Sequence, residues 1–241
     1  MKNEKGNAQN QYIIPASIIA AGLIIAGAVI YMGGGSSRTL APTDQQEDGP
    51  PTPVEVAEAI GLNKTDFEAC LGDPSIDDTI NTDMQEAIAS GGLGTPYTVV
   101  VSTDGTRYPV YGAMPFAQVS AIIDDALALD ASNLATLEQQ ANGPVGEIRP
   151  LTTGDHIRGD ADAPVKIIEF SDLQCPYCKS FHPIMQQVMD QYQGQVVWAY
   201  RHLPLESIHS SARPLAEGSE CAARLGGNDA FWQYVDYIFN N

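Results

Sequence analysis

Cys175-Pro176-Tyr177-Cys178 is the segment of this chain whose residue types and spacing carry the most specific chemistry. The run VKIIEF at 165–170 reads as a buried strand, and Ser171-Asp-Leu-Gln turns from it into the two thiols. They then fall at the start of a helix, where Pro176 is well placed because the first turn does not use its missing N–H. The unpaired amides and the dipole of such an end favour an anion. Cys175 is therefore expected to be the exposed, thiolate-prone nucleophile, with a pKa lowered from about 8.5 to roughly 3.5–7.5. Cys178, one turn inward, is expected to be the resolving thiol. Such a pair cycles between dithiol and disulfide through a mixed disulfide with a substrate, and needs no other cofactor. The alternative is half of a zinc site. Tetrahedral zinc takes four ligands, and the chain offers no second CxxC and no HxxxH, although His182 could supply a third ligand. Redox chemistry is the better reading, and no metal is expected.

The elements that must hold this motif follow from periodicity. VEVAEAIGL has helical spacing, and Asn63 with Asp66 three residues on looks like a capped helix start. Ile76, Ile80, Met84 and Ile88 repeat every four residues as the apolar face of a helix that Gly91-Gly92 should stop. The period then shortens. Residues 97–102 and 107–111 predict a β-hairpin across Thr103-Asp104-Gly105. Phe116, Val119, Ile122, Ile123, Ala126 and Leu127 outline a further helix. A polar stretch over 130–146 separates this block from the next. There the strand at 165–170 is followed by a helix from Cys175, a strand at 196–200, and helices at 211–225 and 229–239. Trp232, Tyr234, Tyr237 and Phe239 read as packing residues, and His202 and His209 have no evident role.

With these elements in place, FSDLQCPYCKSFHP, preceded by APVKIIE, resembles the active-site region of the DsbA-like thioredoxin-fold oxidoreductases. CPYC alone would be weaker, since glutaredoxins carry it too. The resemblance implies an α/β, thioredoxin-like fold with an inserted helical subdomain. It implies a buried acid beneath the redox pair that assists proton transfer, a place Glu169 matches. It implies a cis-proline loop beside the nucleophile, which nothing after Cys178 supplies. Upstream, Gly94-Thr95-Pro96 followed by YTVVV resembles that loop, so Thr95 and Pro96 are expected to face Cys175 and the substrate backbone. A plain turn proline is the alternative. The resemblance thus covers two blocks in reversed order: 54–129 is similar to the family's C-terminal half and 150–241 to its N-terminal half, with 130–149 joining them. This is the order of a circular permutant, with a tandem fragment or a sequence artefact as the other origins. The resemblance also implies a structural disulfide between Cys70 and Cys221, against two separate buried thiols. The activity it implies is disulfide exchange with exported proteins bearing free thiols, foremost as an oxidase reoxidised by a quinone-linked membrane partner. A noncatalytic binding module for exported proteins, or a CxxC metal carrier, are the alternatives.

Composition bounds the setting. A formal net charge of −18 over 241 residues argues against nucleic acid as a partner, since phosphate backbones select basic surfaces. Four cysteines are too few for a disulfide-built miniprotein. Ile13 to Met32 is an uncharged run about as long as a bilayer-spanning helix requires, with Tyr12 and Tyr31 at its ends. Lys2 and Lys5 precede it, so residues 1–12 are expected in the cytoplasm and everything past the anchor outside the cell membrane. A cleaved signal peptide, with Ala26-Gly27-Ala28 as its cleavage site, is the rival. Residues 33–53, rich in Gly, Pro and polar groups, are expected to form a flexible tether.

Overall fold

The computed structural model describes residues 50–241. The expected cytoplasmic segment, the anchor at 13–32 and most of the tether lie outside the described residues. Among those described, no helix is long and apolar enough to cross a membrane. The tether ends earlier than residue 53: Thr52 caps helix α1 (Pro53–Ala59), its side chain and that of Glu55 closing a capping box. Helix α2 (Lys64–Leu71) starts where Asn63 accepts a hydrogen bond from the Asp66 amide, and α3 spans Ile76–Ser90. Strands β1 (Tyr97–Val101) and β2 (Arg107–Tyr111) form the hairpin, and α4 (Phe116–Ala128) follows. Then come α5 (Leu134–Gln140), β3 (His156–Gly159), β4 (Val165–Ser171), α6 (Pro176–Gln191), β5 (Val196–His202) and α7 (Ala212–Asn240). The last is two helices meeting at Gly227, whose φ of 73° breaks the helical path.

The strands form one sheet in the order β2-β1-β4-β5-β3. β4 and β5 are parallel; the other pairs are antiparallel. β1 from the first block pairs with β4 from the second, Val99 opposite Ile168, so residues 54–129 and 150–241 share a single sheet. Side chains alternate between faces with the pleat. Val165 and Ile167 of β4, and Trp198 and Tyr200 of β5, enter the larger core with α1, α2, α4, α6 and α7. Ile168 and Phe170 enter a smaller core with Tyr97, Val99, Ala87 of α3 and Val145. By the same alternation Glu169 points to the larger core, beneath the helix that begins at the cysteines.

The structure corrects several expectations. The joining segment 130–149 is not a plain polar linker. It holds α5, and beyond that Gly146 donates to the Ser90 carbonyl while Arg149 pairs with Asp83 and Glu86 of α3. Strand β3 has no counterpart in the sequence reading, because its four residues are only partly buried and show no alternation. Ile88 is 64% exposed rather than part of the α3 face. A four-residue repeat drifts around a helix of 3.6 residues per turn, and the buried line instead runs Ile76, Ile80, Asp83, Ala87, Ser90.

A disulfide and a buried arginine help tie the blocks together beyond the sheet. Cys70 of α2 and Cys221 of α7 are joined in a disulfide. Arg201, fully buried on β5, makes two 2.9 Å hydrogen bonds to Glu86 and one to Asp155.

Candidate functional site

The β4–α6 turn positions the motif as the sequence suggests, with Cys175 as N-cap residue in extended geometry and Pro176 at the first helical position. Cys178 is completely buried; Tyr177 between them is 66% exposed. The expectation of an exposed Cys175 does not hold, since only 4% of the residue is accessible. What covers it is the loop before β1. Because Tyr97 stands opposite Phe170, the residues preceding β1 continue alongside the turn that follows β4. The Thr95–Pro96 bond is cis, and the Cys175 thiol donates to the Thr95 carbonyl at 3.5 Å. Sequence positions 80 residues apart thus meet in one chain.

The electrostatics separate the two thiols. The Cys178 thiol, hydrogen bonded to Cys175, does most to bring Cys175 down to about 5 against the opposing effect of burial. The Thr95 side chain and the backbone amides of Cys178 and Tyr177 add to it. The Thr95 hydroxyl is itself buried without a hydrogen-bond partner, its carbonyl being the group that meets the Cys175 thiol. The helix-end amides therefore contribute, as the sequence suggested, but they rank behind the neighbouring thiol. Cys178 itself is pushed up by burial and by the charge that Cys175 carries when ionised. One sulphur is built to be a thiolate and a leaving group, the other to stay protonated.

Glu169 lies wholly buried under this pair. Removal from water raises its carboxyl to about 7, in spite of the nearby Ser171 hydroxyl and a hydrogen bond from the Trp198 indole at 3.0 Å. Its ionised form in turn helps hold Cys178 protonated. A carboxyl poised near neutrality beside a buried thiol can give or take that thiol's proton.

His182, one turn past Cys178, is engaged elsewhere: its Nε2 lies 2.7 Å from Asp236 Oδ1, and its ring packs between Trp198 and Phe239. Among the described residues, no group of three or more His, Cys, Asp or Glu is arranged to hold a metal. Several contributors escaped the sequence reading. Trp198 and Tyr200 flank Glu169 from β5. His202 and His156 both meet Glu220 Oε1 at 2.9 Å. Asp172, buried in the turn, receives His209 at 2.7 Å. Only Asp172 had a signal, its place between the strand and the cysteines; the histidine partners come from loops and strands too distant for any spacing rule.

Comparison with known proteins gives two successive family matches. The model described as DSBA-like thioredoxin domain matches residues 37–124, and the one described as Thioredoxin matches 151–241. Among curated relatives, Na(+)/H(+) antiporter NhaA 3 of Salinispora tropica is 39% identical over 84 residues, 35% of this chain and 12% of that protein. NhaA 1 of Mycolicibacterium gilvum is 34% identical over 101 residues, 41% of this chain and 16% of that protein. The match thus spans only a small part of those relatives, and the transport that their name states belongs to them. A solved structure, DsbA2 of Pseudomonas aeruginosa, is 38% identical, with a TM-score of 0.35 over 39% of this chain and 50% of its own.

Proposed function

With a DSBA-like thioredoxin domain model matching residues 37–124 and a Thioredoxin model matching 151–241, we propose that the chain is a DsbA-like thiol-disulfide oxidoreductase that oxidises exported proteins through Cys175 and Cys178. The observation that carries this reading is the pairing of Cys175, brought down to about 5, with a buried Cys178 pushed the other way, under the Thr95–Pro96 loop. A client thiolate attacks Cys175 Sγ of the disulfide, and Cys178 departs as a thiolate. Glu169, in its protonated form, supplies the proton that Cys178 then holds. The client's second thiolate attacks the client sulphur of the mixed disulfide and expels Cys175. The client has lost two electrons and the redox pair has gained them. A thiolate as stable as Cys175 is a good leaving group and favours the reduced pair, which is the property of an oxidant.

In this account an anchor at 13–32 holds the domain outside the cell membrane, where disulfides persist, and a quinone-linked membrane partner restores the Cys175–Cys178 bond. The reversed order of the two blocks is that of a circular permutant. The joined sheet and the single-chain contact of Cys175 with Thr95 support that reading. The test is oxidation of a two-thiol peptide by the full chain against Cys175→Ser. Loss of activity in the variant is expected, and equal rates would defeat the enzyme reading in favour of a noncatalytic binding module.

A further inference from the structure

Asp172 touches both cysteines through its backbone. Its carbonyl accepts from the Cys175 amide at 3.0 Å, and its amide donates to Cys178 Sγ at 3.5 Å. Its carboxylate is buried and takes three donors: the Gln174 amide at 2.7 Å, the Leu205 amide at 2.9 Å and His209 Nδ1 at 2.7 Å. Two of these come from the loop between β5 and α7. That loop holds the active-site turn at two more points, Leu203 N to the Ser171 carbonyl at 2.8 Å and Ser211 N to Gln174 Oε1 at 2.6 Å. Every residue from Ser171 to Gln174 except Leu173 is thereby tied to one loop. His209 is the side chain that keys it, and at 16% side-chain exposure it is close to solvent.

We propose that His209 is a positioning residue for disulfide exchange, fixing through Asp172 the turn that presents Cys175 and seats Cys178. The inference rests on the oxidoreductase reading above. Without the imidazole, the buried carboxylate keeps only amide donors. The turn is freer to move, and the added negative potential opposes a thiolate at Cys175. The reduced pair then becomes less favourable relative to the disulfide.

The test equilibrates the full chain and His209→Ala with glutathione, one protein disulfide and two glutathione thiols giving one protein dithiol and one glutathione disulfide. Thiolate absorbance of Cys175 is titrated in parallel. His209→Ala is expected to shift the equilibrium about fivefold toward the protein disulfide and to move thiolate formation to higher pH. His209→Asn, whose amide nitrogen can take the place of Nδ1, is expected to restore most of both. A folded His209→Ala matching the parent overturns the inference, as does an Asn variant displaced as far as Ala. If neither variant folds, the parent decides. By reciprocity, a clamp that biases the redox equilibrium must itself respond to it. Leu205 and Ser211 amides then exchange at different rates in the disulfide and dithiol forms, and equal rates overturn the inference. A parent that does not exchange with glutathione sinks the oxidoreductase reading and this inference together, whereas a normal parent with an unresponsive His209→Ala sinks the inference alone.

Discussion

Replacing Glu169 with glutamine separates the energetic consequence of the buried acid from its chemistry. The carboxyl ordinarily ionises near 4.5 and in the fold is raised to about 7, first by burial, with Ser171 and Trp198 opposing. A folded pKa above the unfolded one means that the native state binds the extra proton between those values, so its stability falls as pH rises through that window. At 1.36 kcal/mol per pH unit the whole penalty is about 3 kcal/mol, nearly complete at pH 8 and under about 1 kcal/mol at pH 5. Glutamine keeps an oxygen for the Trp198 indole and cannot ionise. The gain of Glu169→Gln over the parent should therefore grow by about 2 to 3 kcal/mol between pH 5 and pH 8. The assay is urea unfolding of both proteins at the two pH values with the Cys175–Cys178 disulfide formed, so that neither thiol titrates. A gain that is the same at both pH values would refute the reasoning about burial. Peptide oxidation by the same variant should be slowed, because the proton for Cys178 has lost its donor.

Alkylation of the reduced protein should follow Cys175 with a midpoint near pH 5 and level off well below neutrality. A midpoint above pH 8 would contradict the site's electrostatics. The Cys70–Cys221 bridge closes a separation of 151 residues. Replacing both by alanine should cost about 5 kcal/mol in the chain-entropy account, measured by denaturant unfolding, and a loss under about 1 kcal/mol would leave the bridge without that role. Arg201→Met leaves Asp155 without its salt-bridge partner and Glu86 with Arg149 alone. That should destabilise the protein by about 3 to 5 kcal/mol in the same assay, and an unchanged midpoint would show that the cluster is not held together as described.

The elements that position the cysteines were legible because their causes are local. The β-branched run at 97–101, the buried apolar run at 165–170, the Asn63 cap and the Gly91 stop are each decided within a few residues. The meeting of Thr95 with Cys175 is not local, and only the resemblance of GTPYTVVV to a cis-proline loop suggested it. The same holds for Cys70 with Cys221. What escaped depends on tertiary closure. Cys175 reads as exposed at a helix end until the β1 loop covers it; the exposure of Ile88 is a local miss, since a four-residue repeat drifts off the face of a 3.6-residue helix. Arg149, Asp83, Glu86, Asp155 and Arg201 carry no signal in the sequence, because only the closed sheet brings them together. The His209–Asp172 and His202–Glu220 pairs need the folded loop and α7 in place before either histidine has a partner.

In the proposed reaction Cys175 is the sulphur that meets the client. Cys178→Ala removes the resolving thiol, so the reduced variant, mixed with a protein disulfide such as insulin, should accumulate a mixed disulfide that cannot be released from within the chain. Peptide mapping should place that adduct on Cys175. An adduct on another cysteine, or none under conditions where the parent turns over, would contradict the account.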